Sequence, residues 1–196
     1  MTKGRIEAFS DGVIAIIITI MVLELKTPEH ATWAALCERW PIMLCYVLSF
    51  FFVGVYWGNH HHLLHTLVRV DGKILWLNLH LLFWMSLIPF VTRWLGETYP
   101  ATVPTIAYGA VMLITGIAYS LLQGAIAGQQ TDELRRAAHR HQARKAIFSI
   151  VMYATAMVLA VWSHVLLAVA CYVMVALAWA IPDRAIERAA REQAAD

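Results

Sequence analysis

The chain has 196 residues, of which 60% are hydrophobic and 14% are charged, with a formal net charge of +2. Soluble domains average about 45–50% apolar and about 25% charged residues, so the composition excludes an ordinary soluble domain and favours a membrane protein. The small net charge by itself identifies no partner, and no nucleic-acid partner is predicted.

Six apolar segments follow one another along the chain, and the predicted class is an all-α polytopic membrane protein. An apolar bilayer core of about 30 Å needs about 20 helical residues, with about 17 as the lower limit. Only Ser163 and His164 separate the last two segments, which are near that limit and should form a tight helical hairpin. The predicted spans are residues 6–25, 41–64, 73–95, 105–127, 146–162 and 165–181.

Prolines mark several ends of these segments. Pro28 ends the first segment, because a proline disfavours the helical conformation at the residue before it. Pro41 suits the first turn of the second segment, and Pro89 predicts a kink inside the third. Pro100 and Pro104 break the chain between the third and fourth segments, and Pro182 stops the sixth.

The segment 129–145 is polar and reads QQTDELRRAAHRHQARK. Thr131 followed by Asp132 and Glu133 is a helix-start signal, which predicts a short cytosolic helix or an extension of the fifth span. Without an internal repeat or a linker, residues 1–181 are predicted to form one transmembrane domain, followed by a charged cytoplasmic tail at 182–196.

Basic residues are unevenly divided between the two sides of the predicted membrane. The N-terminus, the second and fourth loops and the tail hold 12 of the 15 lysines and arginines, and only Lys26, Arg39 and Arg93 lie on the other side. Cytoplasmic loops carry the excess of Lys and Arg, so both termini are predicted in the cytoplasm, in agreement with an even number of spans.

The first span carries polar residues at its start and an apolar stripe above them. At 100° per residue, one face holds Gly12, Ile16, Thr19, Ile20 and Leu23, and Arg5 and Phe9 extend it toward the N-terminus. Ser10 and Asp11 project away from that face and could bind neighbouring helices. The stripe could contact lipid or other helices, or form a hydrophobic constriction that gates ions by dewetting. The helix alone does not decide between these.

The opening of this span resembles the signature R-x-x-x-F-S-D-G of the endosomal and lysosomal potassium channel family, the transmembrane-protein-175 type. The match comprises Arg5, Phe9, Ser10, Asp11 and Gly12, followed by the apolar run from Val13 with Thr19 and Leu23. Supporting likeness lies in Trp57, Asn59, His60 and His61 of the second span, and in Asn78, Leu79, Leu81, Leu82, Pro89 and Phe90 of the third.

The resemblance implies a potassium-selective cation channel of the single-repeat bacterial form, a homotetramer in the inner membrane with its first helices lining a central pore. It implies a hydrophobic constriction at Ile16, Ile20 and Leu23, with Thr19 as a pore-facing hydroxyl. Potassium would be the permeant ion, and membrane lipid would surround the channel. No cofactor is expected. The signature residues would stabilise the subunit rather than contact the ion; this network is Arg5, Phe9, Ser10, Asp11, Gly12, Asn59, His60, His61 and Asn78.

A histidine run ends the second span. His61 and His65 are four residues apart on one helix face, which suits two metal ligands, with His80, Asp71 or Glu24 as a possible third. Two histidines alone are weak grounds for a metal, so no metal site is predicted, and a pH effect through these residues is the better reading.

Catalytic motifs such as H-E-x-x-H, G-x-S-x-G or a glycine-rich phosphate loop are absent from the sequence, which predicts no enzyme. The alternative function is a proton-coupled transporter that uses Asp11 and nearby histidines, because an intramembrane acid is a functional-site hypothesis by default. A clasp role for Asp11 instead requires a partner from another span, with Asn78 or His80 as the first candidates. A non-conducting membrane scaffold or metal site is the remaining class.

Overall fold

The computed structural model describes residues 2–129 and 133–180, with side chains described over 2–129 and 144–179. These residues form an all-helical structure. Its elements, in chain order, are α1 (Lys3–Leu23), α2 (Trp33–Glu38), α3 (Trp40–His65), α4 (Gly72–Ser86), α5 (Ile88–Thr98), α6 (Thr102–Ala127), α7 (Glu133–Val161) and α8 (Val165–Ala180).

Within the described residues, five helical segments are long and apolar enough to cross a membrane. They are Lys3–Leu23, Trp40–His65, Gly72–Thr98, Thr102–Ala127 and Arg144–Val161. The sixth predicted span corresponds to α8, whose described part, Val165–Ala180, has 16 residues and is close to the lower limit for a crossing.

The third span is one membrane segment made of two helices. α4 ends at Ser86 and α5 begins at Ile88, with Pro89 in the first turn of α5. A proline is tolerated there because its missing N–H needs no intrahelical acceptor. The helix break thus lies where Pro89 predicts a kink.

One of the connections differs from the sequence prediction. The short helix α2 in the loop after α1 was not predicted; Thr32 caps it by accepting a hydrogen bond from the Ala35 amide at 3.2 Å. Of the two forms predicted for the polar segment before the fifth span, the structure has the extension of that span, because α7 runs unbroken from Glu133. The predicted helix-start residues Thr131 and Asp132, and the predicted tail 182–196, lie outside the described residues.

The hairpin between α7 and α8 is as tight as predicted. Ser163 takes a left-handed conformation with φ of 63°. The amides of Ser163 and His164 donate to the carbonyls of Ala160 and Leu159 at 3.0 and 2.9 Å, which satisfies the carbonyls at the end of α7.

α6 lies in the middle of the subunit and packs against α4, α5 and α7. A buried hydroxyl cluster joins it to α3 and α5: Ser49 Oγ lies 3.0 Å from Tyr108 Oη, and Thr92 donates to Ser49 at 2.7 Å. Among the described residues, α1 packs mainly against α3, α4 and α5, and the side chains of its opposite face are exposed in the subunit.

Candidate pore helix and its supporting network

The predicted apolar stripe lies on the uncovered face of α1. Ile16, Ile20 and Leu23 are 58%, 41% and 78% exposed, and Phe9 is also exposed. Arg5, Gly12 and Thr19 are exposed as well. From Phe9 to Leu23 the subunit therefore presents an exposed apolar surface that includes the Thr19 hydroxyl, with Arg5 at its N-terminal end.

The opposite face of α1 is packed into the subunit. Ile6, Ile14, Ile17 and Met21 are buried in the common hydrophobic core, and Ser10 is buried among them. These positions recur every three to four residues, as one face of a helix requires. The buried face fixes the rotation of α1 and therefore the direction in which the stripe points.

Thr19 is positioned by its own helix. Its hydroxyl donates to the carbonyls of Ile16 and Ala15 at 2.9 and 3.1 Å. A hydroxyl oxygen carries two acceptor lone pairs in addition to its proton, so these remain available on the exposed face. Thr19 can therefore offer an oxygen to a cation without breaking its hydrogen bonds.

Ser10, Asn78 and His60 form a buried chain of hydrogen bonds that joins α1, α4 and α3. His60 Nε2 donates to Asn78 Oδ1 at 2.7 Å, and Asn78 Nδ2 donates to Ser10 Oγ at 2.9 Å. Ser10 Oγ donates in turn to the Ile6 carbonyl at 2.8 Å. All three side chains are at most 1% exposed, and their mutual bonds offset the cost of burying polar groups.

Asp11 has a different partner from the one predicted. Its Oδ1 accepts a hydrogen bond from Trp57 Nε1 of α3 at 3.0 Å, whereas Asn78 bonds Ser10 and His60, and the exposed His80 contacts the Trp84 ring. One residue further along a helix is a rotation of about 100°, so Asp11 faces α3 when Ser10 faces α4. Naming Asn78 or His80 as its partner was therefore wrong.

The remaining signature residues are not gathered in one place. Asn59 lies beside a small cavity that Tyr56, Tyr119 and Tyr153 also line, and its backbone carbonyl accepts a hydrogen bond from Tyr119 at 3.3 Å. His61 lies toward the surface on α3, where its ring stacks on Trp57 with centroids 6.2 Å apart.

An ionic cluster at the far end of α1 was missed by the sequence analysis. Arg93 of α5 donates to Glu24 at 2.6 Å and to Glu97 at 3.2 Å, and Lys26 lies 3.3 Å from Glu97. Glu24, Arg93 and Glu97 also line a groove of about 590 Å³ between α1 and α5, together with Ile16, Ile20 and Phe90. The four-residue spacing of Arg93 and Glu97 was a signal available in the sequence. Glu24 lies far from Arg93 along the chain, so no spacing indicated their contact.

Comparison with known proteins gives consistent results. A family model described as "Endosomal/lysosomal potassium channel TMEM175" matches residues 5–89. A protein named a potassium channel from Chryseobacterium sp. (strain P1-3) is 46% identical over 192 residues, covering 98% of this chain and 100% of that protein. A crystal structure of a lysosomal potassium-selective channel TMEM175 homolog from Chamaesiphon minutus superposes with a TM-score of 0.81 at 32% identity, covering 91% of this chain and 96% of that chain.

A more distant match is the endosomal/lysosomal proton channel TMEM175 of Danio rerio, which is 39% identical over 75 residues. The match covers 32% of this chain and 14% of that protein. The matched proteins are named as channels, so the prediction that the chain is not an enzyme is confirmed. Its apolar helices and these relatives make it a multi-pass membrane protein, and the chain belongs to the TMEM175 potassium channel family.

Proposed function

We propose that this protein is a potassium-selective channel that conducts passively, with α1 lining the pore and Ile16, Ile20 and Leu23 forming a hydrophobic constriction. The observation that carries the proposal is the uncovered apolar face of α1, whose opposite face is buried in the subunit. The Chryseobacterium and Chamaesiphon relatives, named as potassium channels, support the choice of ion.

An apolar constriction controls ions by dewetting, because a narrow passage without polar groups excludes the water that an ion carries. Thr19 lies within the stripe and has acceptor lone pairs free, so it can replace part of the hydration shell of a cation at that level. In this mechanism Ile16, Ile20 and Leu23 set the barrier, and Thr19 lowers it for a partly dehydrated ion.

The pore requires more than one copy of the chain, since one helix cannot enclose a channel. We propose a homotetramer in the cell inner membrane, in which each subunit contributes six spans from residues 1–181 and the four copies of α1 surround the axis. Both termini would be cytoplasmic, and lipid would surround the other helices. This arrangement covers the stripe that the single subunit exposes.

Cation flux from liposomes that contain the purified protein tests the function. We expect fast potassium flux, larger than sodium flux, that needs only an electrical shunt. Flux that strictly requires an opposing proton gradient would instead support the transporter, and the absence of flux would contradict the pore.

Polar substitutions in the stripe test the constriction. Ile20→Asn and Leu23→Asn should hydrate the passage and raise leak or weaken potassium selectivity. Leu177→Asn on α8 is a matched control, because Leu177 is an apolar residue of similar exposure, 61%, outside α1. Currents that are unchanged in both stripe variants, or altered equally by the control, would remove these side chains from the pore.

The second candidate function is proton-coupled or proton-conducting transport through Asp11 and the neighbouring histidines. The Danio rerio relative is named a proton channel, which supports this second candidate. The contact between Asp11 and Trp57 favours a structural role instead, since the carboxylate is already used to hold α1 against α3.

A further inference from the structure

His61 and His65 form a close pair at the end of α3. Their Nε2 atoms lie 3.2 Å apart, and the two rings meet edge to face with centroids separated by 4.5 Å. The four-residue spacing predicts only that the rings are neighbours, whereas the structure also brings the two Nε2 atoms within hydrogen-bonding distance of each other.

This geometry is close to that of two ligands on one metal ion. Zinc–imidazole bonds are about 2.0–2.1 Å, and a tetrahedral angle then separates the two nitrogens by about 3.4 Å. The observed 3.2 Å needs only a small adjustment. Imidazole suits Zn²⁺, Cu²⁺ and Ni²⁺, while Mg²⁺ and Ca²⁺ prefer oxygen ligands.

We propose that His61 and His65 are a two-ligand binding site for a divalent transition-metal ion, with Zn²⁺ as the reference ion. Within residues 2–129 and 144–179, no group of three or more metal-ligating side chains is present, so water completes the coordination and the ion binds reversibly. His65 is exposed and His61 partly so, which leaves the site open to dissolved metal.

The site is joined to α1 at two points. The ring of Trp57 stacks on His61, and its Nε1 donates to Asp11 of α1. Lys3, also in α1, donates to the backbone carbonyl of His65 at 2.8 Å. A metal that locks the two imidazoles together also restrains the His61 ring, and through Trp57 it restrains Asp11 at the start of the pore helix.

Metal binding is tested first without reference to conduction. Zn²⁺ is titrated calorimetrically into the purified full chain, with Mg²⁺ as the negative probe. We expect one saturable Zn²⁺ site per subunit. His61→Gln and His65→Gln should each weaken it by at least about tenfold, the lower end of what losing a supporting residue costs a metal site.

His80→Gln is the matched control, because His80 is exposed on α4 and its ring lies edge to face with Trp84. It should bind Zn²⁺ as the unmodified chain does. Zn²⁺ binding that survives in both His61→Gln and His65→Gln, or an unmodified chain without a Zn²⁺ site, would overturn the proposal.

The link to α1 is tested by Trp57→Phe, which keeps an aromatic ring beside His61 and removes the donor to Asp11. This second arm rests on the proposed channel function. We expect Zn²⁺ to change potassium flux through the unmodified chain but not through Trp57→Phe, while both bind Zn²⁺ equally. An equal effect on both fluxes would overturn the link, whereas a failure of the channel itself would show as absent flux before any Zn²⁺ is added.

Discussion

At the residue scale, Asn78 holds three helices together through one side chain. It accepts from His60 of α3 and donates to Ser10 of α1, while it belongs to α4 itself. A buried donor or acceptor left without its partner costs about 1–3 kcal/mol. Removing this amide therefore leaves groups unpaired on two other helices at once.

We expect Asn78→Leu to lower stability by about 1–3 kcal/mol for each group left unpaired, because leucine fills the volume but offers no hydrogen bond. Asn59→Leu is the matched control: Asn59 is only partly buried, and its backbone carries the contact with Tyr119. The midpoint of thermal unfolding in detergent measures both. Equal shifts in the two variants would contradict a special role for Asn78.

Asp11 separates the structural and proton-relay hypotheses. The amide oxygen in Asp11→Asn can still accept from Trp57 Nε1, but this bond is weaker because a hydrogen bond to an ionised carboxylate is about twice as strong as one between neutral groups, and the variant cannot carry a proton. We expect assembly or expression to suffer more than permeation, and the assembled fraction to conduct in liposomes. A well-assembled but inactive Asp11→Asn protein would support the proton relay instead.

At the scale of the elements, the broken third span is shaped by close contact. α5 approaches α3 at Gly96, where an added Cβ would lie 2.6 Å from the Ile42 Cα. The neighbouring atom is backbone, so it cannot move aside as the end of a flexible side chain can. This contact holds α5, and with it Arg93, in place beside α1.

Gly96→Ala should therefore destabilise the protein by about 1–3 kcal/mol, the usual cost of overpacking a core. Gly54→Ala in α3 is the control, since an added Cβ there meets nothing within 4 Å and alanine favours helix by about 1 kcal/mol. Thermal unfolding distinguishes them. A Gly96→Ala protein as stable as Gly54→Ala would show that the two helices separate easily.

At the scale of the whole molecule, the exposed thiol of Cys37 reports orientation. Cys37 lies in α2, in the loop that follows α1, whereas Cys45 is partly buried and Cys171 is buried. If both termini are cytoplasmic, this loop faces the periplasm, because α1 crosses the membrane once before it.

A membrane-impermeant maleimide should therefore label Cys37 in intact spheroplasts, and Cys37→Ser should abolish most of the labelling. Mass spectrometry of the labelled protein measures both. Labelling of Cys37 that appears only after the spheroplasts are lysed would reverse the orientation derived from the basic residues.

The sequence alone determined the features that depend on distance along one helix. The membrane class follows from apolar length, the break near Pro89 from a missing N–H, and the exposed stripe from a rotation of 100° per residue. The first-helix signature was enough to predict the family. These properties are local, so they do not depend on which helix stands beside which.

Only the tertiary structure decided the pairings between helices. Asp11 contacts Trp57 and Arg93 contacts Glu24, although no sequence spacing specifies either pair. The spacing of His61 and His65 makes them neighbours but does not specify that their Nε2 atoms lie 3.2 Å apart. The order, tilt and rotation of packed helices set such contacts. Periodicity states which face a side chain occupies, and packing alone brings a particular partner to that face.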